Sequence, residues 1–153
     1  MTPTATIPET HLPERLRLAV TRLARRLRQQ SSVDSSPTQL SALSTIERLG
    51  PITLGDLAVA ESVQPPTVTA AIGRLEGQGL VRRETDAEDR RVVRVVVTPA
   101  GRKLLARTRS RKTAYLARRL QALTPEERAT LAEATEILDR LLEPEPGEAG
   151  DRS

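Results

Sequence analysis

The segment from Thr53 to Gly101 constrains the fold of this 153-residue chain most, because signals that start and stop helices follow one another there at short intervals. Thr53 is a suitable N-cap, since its hydroxyl can accept a hydrogen bond from the amide of Asp56, three residues later. The apolar residues that follow predict a short first helix. This helix is expected to end near Glu61.

A second helix follows the short turn at 62–64. Pro65 and Pro66 fall in its first turn, where a missing N–H group costs least, and Gly79 ends it as a left-handed residue. Its apolar residues recur at the i, i+3, i+4, i+7 spacing of one helix face. This spacing predicts a face buried in a small core: Val68, Ala71, Ile72 and Leu75.

The opposite face of the second helix carries small and polar side chains: Pro66, Thr67, Thr69, Ala70, Gly73 and Arg74. Small residues allow close approach to another surface, and threonine can contact phosphates, base edges or the methyl group of thymine. The face is therefore suited to a DNA groove. When the helix is considered without its neighbours, a solvated face of low helix propensity explains these residues equally well.

Two segments rich in β-branched residues follow, Leu80–Glu84 and Val92–Val97, joined by the polar turn Asp86–Arg91. Such segments predict a two-stranded hairpin, which must pack on the helices because two strands alone are only marginally stable. Helix, turn, helix and hairpin in this order define a winged helix-turn-helix. The predicted fold class is mainly α with a small β wing.

The hairpin carries nearly balanced charge, with five arginines and four acids between Arg82 and Arg94. Asp86 or Asp89 is predicted to pair with Arg91 and stiffen the turn, which leaves Arg90 at the tip to enter a minor groove. An ordinary solvated hairpin with surface ion pairs remains the alternative.

These segments resemble the signature of MarR-type regulators. The motifs that carry the resemblance are Ser62–Thr69, Arg74–Arg83, Asp86–Arg91 and Val97–Gly101, and the likeness extends from Pro13 to Leu142. It implies a homodimer with N- and C-terminal dimerisation helices that represses transcription from a palindromic operator. It also implies release by a small anionic or aromatic ligand.

The resemblance assigns DNA contacts residue by residue. They fall on the second helix and on the wing: Pro66, Thr67, Thr69, Arg74, Arg90 and Arg91. Many relatives have arginine where this chain has Ala70, and an acid where it has Gly73. A base contact expected from the family is therefore missing, and the operator sequence stays open.

The chain is predicted to divide into a DNA-binding domain flanked by helices. Residues 36–98 form the winged helix-turn-helix domain, and residues 13–30 together with 99–143 form a helical dimerisation region. A leader at 1–12 and an acidic tail at 144–153 are predicted to be disordered.

The terminal helices carry apolar stripes, with Leu16 and Leu23 near the start of the chain and Leu138 and Leu141 near its end. Such stripes need a partner surface, and the simplest partner is the same set of helices in a second copy. A two-fold dimer would present two copies of the second helix, the predicted recognition helix, to successive major grooves. A monomeric bundle that shelters the stripes is the alternative, and light scattering separates the two.

Composition excludes several functions. Cysteine is absent, which excludes disulfides, thiolate metal sites and cysteine-based redox sensing. The single histidine, His11, has no partner at ligand spacing, so neither a metal site nor a catalytic site is expected. We therefore expect no enzyme and no cofactor. The sequence also lacks a membrane-spanning apolar run and a recognisable signal peptide, which predicts a cytoplasmic protein.

Charge is distributed unevenly around a net value of +4. Between Arg102 and Arg119 there are eight basic residues and no acid, whereas residues 126–153 hold nine acids and three arginines. A basic segment followed by an acidic C-terminal segment is consistent with one surface that faces DNA phosphate and another that faces away. Arg111 and Tyr115, which lie on one helix, are predicted to line a ligand site, although a tyrosine among leucines is more often a core or interface residue.

Two other functions compete with the binding of duplex DNA. An RNA or single-strand binder usually stacks bases on aromatic side chains, and this chain has only one aromatic residue. A winged-helix module that contacts only proteins is the second rival. Binding of duplex DNA across a salt series separates that rival from a DNA-binding regulator.

Overall fold

The structure, a computed structural model, describes residues 9–30 and 35–143. Within these ranges the chain is mostly helical, with one small antiparallel sheet, as the sequence predicts. The elements in chain order are a 3-10 turn (Glu9–His11), α1 (Leu12–Gln29), α2 (Pro37–Leu49), α3 (Leu54–Glu61), α4 (Pro65–Gly77), β1 (Val81–Thr85), β2 (Val93–Val97), α5 (Pro99–Gln121) and α6 (Pro125–Leu141). Every helix in the described ranges is too short or too polar to cross a lipid bilayer.

The chain divides into two compact units, residues 1–113 and residues 114–153, with the boundary inside α5. The first unit contains α1 to α4, the hairpin and the first part of α5. The second contains the end of α5 and all of α6. The predicted dimerisation region, residues 13–30 and 99–143, includes segments of both units and stays a prediction.

Ordered structure begins before the predicted boundary at residue 13. A 3-10 turn precedes α1, which starts at Leu12 and has Pro13 in its first turn, where proline needs no hydrogen-bond partner. The rest of the predicted leader, residues 1–8, lies outside the described residues. The predicted tail at 144–153 also lies outside them.

Three helices begin with local hydrogen bonds that the sequence signals. Ser36 and Gln39 form a reciprocal capping box at α2, and Thr124 and Glu127 form one at α6. At α3 the Thr53 hydroxyl oxygen accepts from the Asp56 amide at 3.1 Å. These bonds satisfy amide groups that the first helical turn leaves without partners.

The core of the first unit lies between α2, α3, α4, the hairpin and the start of α5. The predicted apolar face of α4 is confirmed, because all four of its residues are buried. Complete burial of a valine, isoleucine or leucine side chain stabilises the fold by about 1.5–3 kcal/mol. The largest fully buried side chains are Leu43, Ile46, Leu57, Ile72, Leu75, Val81 and Val95.

The hairpin pairs β1 with β2 in an antiparallel register that runs from Val81 opposite Val97 to Thr85 opposite Val93. Both strands start one residue later than predicted. Leu80 belongs to the turn that follows α4, since its N–H group donates to the carbonyl of Leu75 at 2.9 Å.

Val92 belongs to the turn, because its N–H group donates to the Asp89 carbonyl at 2.9 Å.

A further pairing joins the hairpin to the segment before α3. Ile52 and Val95 exchange two backbone hydrogen bonds, at 3.2 and 2.8 Å. The wing is therefore attached to the helical part through the backbone as well as through the core.

Thr98 joins the end of α4, the hairpin and the start of α5. Its hydroxyl donates to the Gly79 carbonyl at 2.6 Å and accepts from the Gly101 amide at 3.1 Å. Its own amide donates to the Leu80 carbonyl at 3.0 Å. Gly79 has a φ of +71°, which suits glycine, and ends α4 as predicted.

Candidate nucleic-acid interface

Helix α4 presents an exposed face on the side opposite its buried one. The residues predicted to contact DNA from this helix share that face and are all exposed: Pro66, Thr67, Thr69 and Arg74. Thr69 also donates its hydroxyl hydrogen to the Pro65 carbonyl at 3.0 Å. Arg74 takes part in no ion pair among the described residues, so its guanidinium is available to an anionic partner.

Ala70 and Gly73 have little or no side chain and leave this face of α4 flat. Ala70 and Gly73 are both exposed, and a Cβ added at Gly73 would meet no atom within 4 Å. No neighbouring group therefore requires glycine here. The absent side chain lets a flat surface approach the α4 backbone closely.

An ion pair ties α4 to the wing. The Arg83 Nε atom on β1 lies 3.1 Å from the Glu76 Oε2 atom near the end of α4, with both side chains 40% exposed. Sequence reasoning missed this pair. Exposed pairs contribute only about 0.2–1 kcal/mol, so its main effect is to align the helix with the hairpin.

The wing turn is organised by Asp86. Its Oδ1 atom accepts hydrogen bonds from the amides of Glu88 at 2.9 Å and Asp89 at 3.2 Å, and its Oδ2 atom accepts from the Arg94 Nε atom at 2.7 Å. Hydrogen bonding from Arg94, and then from these two amides, lowers the pKa of Asp86 to about 2. The carboxylate is therefore ionised at neutral pH and holds the turn in one shape.

The predicted partner of Arg91 was Asp86 or Asp89, and the structure selects Asp89. The Arg91 Nε and Nη2 atoms lie 3.1 and 3.2 Å from the two Asp89 carboxylate oxygens, and the Arg91 amide donates to the same carboxylate at 3.0 Å. Hydrogen bonds from the Arg91 side chain, and then from its amide, lower the pKa of Asp89. Asp86 pairs with Arg94 instead, because the two are diagonal neighbours on one face of the hairpin.

Arg90 lies between Asp89 and Arg91 in sequence and differs from Arg91 in its contacts. It is exposed and makes no ion pair with any described residue. Arg91 also projects into solvent, with 91% of its side chain exposed, although its guanidinium contacts Asp89. The turn therefore presents two arginines, of which one is constrained by an acid.

A cavity of about 320 Å³ lies in the first unit, between the end of α1, helix α2 and helix α5. Three cations and several hydroxyl groups surround it, and the buried Ser35 Oγ atom at its wall has no hydrogen-bond partner among the described residues. Arg109 forms an ion pair with Glu47. The residues that line the cavity are Arg28, Ser35, Pro37, Leu40, Ser41, Ser44, Thr45, Leu105, Thr108, Arg109 and Lys112.

The predicted ligand residues Arg111 and Tyr115 do not line this cavity. Arg111 is exposed and Tyr115 is half-buried on α5. Arg109 and Lys112 of the same helix line the cavity, and the sequence analysis did not single them out. Those residues were hard to find, since the cavity depends on tertiary packing of three helices rather than on a local motif.

Comparisons with known proteins agree on one family. The sequence pattern described as the MarR family matches residues 35–93. The HTH-type transcriptional regulator ML2140 of Mycobacterium leprae is 38% identical over 141 residues, which cover 90% of this chain and 97% of that protein. The HTH-type transcriptional repressor MdtR of Bacillus subtilis is 31% identical over 108 residues, covering 71% and 70% of the two chains.

A solved structure extends the agreement to the fold. The crystal structure of a transcriptional regulator of Pseudomonas aeruginosa superimposes with a TM-score of 0.79 at 34% identity, covering 90% of this chain and 97% of that chain. The chain belongs to the MarR family of transcriptional regulators. It is a DNA-binding winged helix-turn-helix protein, not an enzyme.

Proposed function

We propose that this protein represses transcription as a homodimer bound to a palindromic operator, and that a small anionic or aromatic ligand releases it. The observation that carries the DNA part is the exposed face of α4 together with Arg90 of the wing, which is exposed and forms no ion pair with any described residue. One element is shaped for a major groove and the other for the minor groove beside it. The proposed DNA contacts are Pro66, Thr67, Thr69, Arg74, Arg90 and Arg91.

The wing contacts have different roles in this proposal. Arg90 enters the minor groove, where a narrow groove concentrates negative potential. Arg91 contacts phosphate while Asp89 limits its motion. Asp86 stiffens the turn through the two amides and Arg94, so both arginines are held in place before DNA arrives.

A dimer is supported by the exposure of the outer helices. None of the residues of α1 or α6, both described in full, is buried in the single chain. Leu23 is 47% exposed and Ile137 is 50% exposed, which is unusual for clustered apolar side chains on amphipathic helices. A second copy would cover these surfaces and present two recognition helices with two-fold symmetry.

Repression is supported by the relative MdtR, which is a transcriptional repressor. A dimer seated on a palindrome near a promoter occupies DNA that the transcription machinery needs. A transcription regulator acts where the DNA lies, so the proposal includes a cytoplasmic location.

Duplex binding by fluorescence anisotropy tests the DNA contacts. We expect binding that weakens steeply as salt rises, since phosphate contacts release counterions. Arg90→Ala should weaken binding most when A-tracts flank the site, because that sequence narrows the minor groove. Arg25→Ala on α1 is the matched control, since Arg25 is an exposed arginine outside the proposed surface, and it should bind like the wild type.

The results separate the remaining interpretations. Equal loss on all flanking sequences would remove the minor-groove role of Arg90. Thr67→Val or Arg74→Ala should cost about 1–3 kcal/mol on a preferred site if either residue contacts a base edge. Absence of any duplex binding at low salt would favour a module that contacts only proteins.

The ligand part of the proposal rests on the cavity beside α2. Arg28, Arg109 and Lys112 give it positive charge, and Leu40 and Leu105 give it apolar walls, a combination that suits an aromatic carboxylate. Benzoate is a suitable probe of this chemistry. We expect benzoate to release the DNA complex.

Two substitutions locate the ligand site. Lys112→Ala should reduce the effect of benzoate if the cavity binds the ligand, whereas Tyr115→Phe should reduce it if the predicted pair Arg111 and Tyr115 does. Direct binding by calorimetry gives the same comparison without DNA. No binding of benzoate to the wild type, and no effect on the complex, would argue against an aromatic-carboxylate effector.

A further inference from the structure

Helix α3 ends at Glu61, and the side chain of this residue is bound to helix α2. The Ser41 hydroxyl donates to the Glu61 Oε2 atom at 2.6 Å, and the Thr45 hydroxyl donates to the Glu61 Oε1 atom. Thr45 is buried and Glu61 is half-buried. Because the C-terminal end of a helix carries partial negative charge, a carboxylate is unfavourable there, and the two hydroxyl groups offset this effect. The bonds therefore hold the end of α3 against α2.

The backbone after Glu61 forms the turn of the helix-turn-helix. Ser62 has a φ of +53°, a conformation that residues other than glycine rarely adopt. The Val63 amide donates to the Ala58 carbonyl at 3.1 Å, and the recognition helix α4 begins at Pro65. Because this turn is short and its backbone is constrained, the position of the end of α3 determines where α4 begins.

The two hydroxyl groups that bind Glu61 also belong to the cavity beside α2. The described residues that line this cavity include Ser41 and Thr45 but not Glu61. A hydroxyl group has a single hydrogen to donate, and both of these hydrogens are directed to the Glu61 carboxylate. A ligand carboxylate in the cavity would need the same hydrogens. The ligand and Glu61 would therefore compete for them.

We propose that Glu61 couples the cavity to α4 by competing with a ligand carboxylate for the hydroxyl hydrogens of Ser41 and Thr45. Without ligand, Glu61 binds these hydrogens and keeps the turn before α4 in the arrangement that binds DNA. A ligand that takes the hydrogens removes this support, so ligand and DNA weaken each other's binding by the same factor. The proposal rests on the ligand-released DNA binding of the proposed function and names Glu61 as the positioning residue that transmits the release.

Binding of benzoate and of DNA by full-length variants tests this coupling. Glu61→Ala removes the internal carboxylate, so both hydroxyl hydrogens become available to benzoate. We expect the benzoate dissociation constant, measured by calorimetry without DNA, to fall by about threefold to thirtyfold. We expect the affinity for a duplex selected from a random pool, measured by anisotropy without benzoate, to fall by about fivefold to fiftyfold because the turn loses its support.

The paired change Ser41→Ala and Thr45→Val removes the two hydrogens instead of the carboxylate. We expect this variant to lose DNA affinity by a similar factor, but also to bind benzoate more weakly than the wild type, by about threefold to thirtyfold. The two kinds of variant should therefore change DNA affinity in the same direction and benzoate affinity in opposite directions. A purely structural role would not separate the two affinities in this way, because a loosened fold weakens the cavity in both variants.

Two matched controls and one further variant accompany these measurements. Glu14→Ala removes an exposed acid of α1, and Thr38→Val removes an exposed hydroxyl of α2 outside the cavity. Both controls should bind DNA and benzoate within about twofold of the wild type. Glu61→Gln keeps the test informative if circular dichroism shows that Glu61→Ala unfolds. Its amide oxygen and NH₂ group can engage both hydroxyls but hold only one hydrogen, so benzoate should still bind more tightly than to the wild type.

The outcomes distinguish failure of this inference from failure of the proposed function. Opposite changes in benzoate affinity support the coupling through Glu61. If benzoate binds the wild type and releases its DNA, but has an equal or larger dissociation constant for Glu61→Ala, the coupling is overturned and the ligand-released regulator stands. If benzoate binds neither protein and releases neither from DNA, both the coupling and the aromatic-carboxylate effector are overturned.

Discussion

Gly101→Ala is expected to destabilise the protein, because the first turn of α5 packs directly on the base of the wing. A Cβ atom at this position would lie 2.2 Å from the Leu80 carbonyl oxygen and 2.8 Å from the Val97 Cγ1 atom. Ordinary contacts of this kind begin near 3.4 Å. The nearest obstacle is backbone, so α5 and the turn at Leu80 must move apart.

The expected size of the effect follows from these contacts. Overpacking of this kind costs about 1–3 kcal/mol. Separating α5 from Leu80 also weakens the hydrogen bond from the Thr98 amide to the Leu80 carbonyl, which contributes about 0.5–1.5 kcal/mol. The higher helix propensity of alanine offsets at most about 1 kcal/mol. With the full offset the net loss is about 0.5–3.5 kcal/mol. This corresponds to a fall in Tm of about 1–14 °C for a chain of this length.

Urea unfolding followed by circular dichroism measures this effect. Gly77→Ala is the matched control, since Gly77 ends α4, has no positive φ, and has no atom within 4 Å of an added Cβ. We expect the control to be unchanged, or more stable by up to about 1 kcal/mol. A Gly101→Ala protein that unfolds at the wild-type urea concentration would refute the reasoning.

Three further predictions concern the wing and the core. Asp86→Asn should lower stability at neutral pH, and the difference from the wild type should shrink as pH falls from the ordinary aspartate pKa of 3.8 towards about 2, where Asp86 itself becomes protonated. Urea midpoints across that pH range check this, and a constant difference would contradict it. Leu43→Ala should cost about 2–5 kcal/mol in the same assay, because Leu43 is fully buried, and a loss below 1 kcal/mol would contradict that packing. Thr98→Val should cost about 1–3 kcal/mol by leaving the Gly79 carbonyl and the Gly101 amide without their partner, and wild-type stability would show that these bonds are dispensable.

The helix boundaries followed from local chemistry and could be predicted. The start of α3 depends on a bond between residues three apart, so Thr53 was a sufficient signal. The strand starts were missed by one residue, because hydrogen bonds to Leu75 and Asp89 assign Leu80 and Val92 to the adjoining turns. These bonds depend on how the elements meet.

The candidate site was predictable where one helix or one turn determines it. Helical periodicity separated the buried and exposed faces of α4, and turn chemistry identified Asp89 as one of two partners for Arg91. The pairing of Asp86 with Arg94 required the strand register. The cavity required the packing of α1, α2 and α5, which no local pattern encodes.

Selection from a random pool of duplexes, followed by sequencing and by titration of the recovered site, tests the central claim most directly. We predict a two-fold symmetric sequence whose half-sites lie about one helical turn apart, bound by two chains with a steep salt dependence. Arg74→Ala should alter the recovered sequence or weaken its binding, and Arg25→Ala should do neither. Recovery of no enriched duplex, or binding by a single chain without symmetry, would contradict the account.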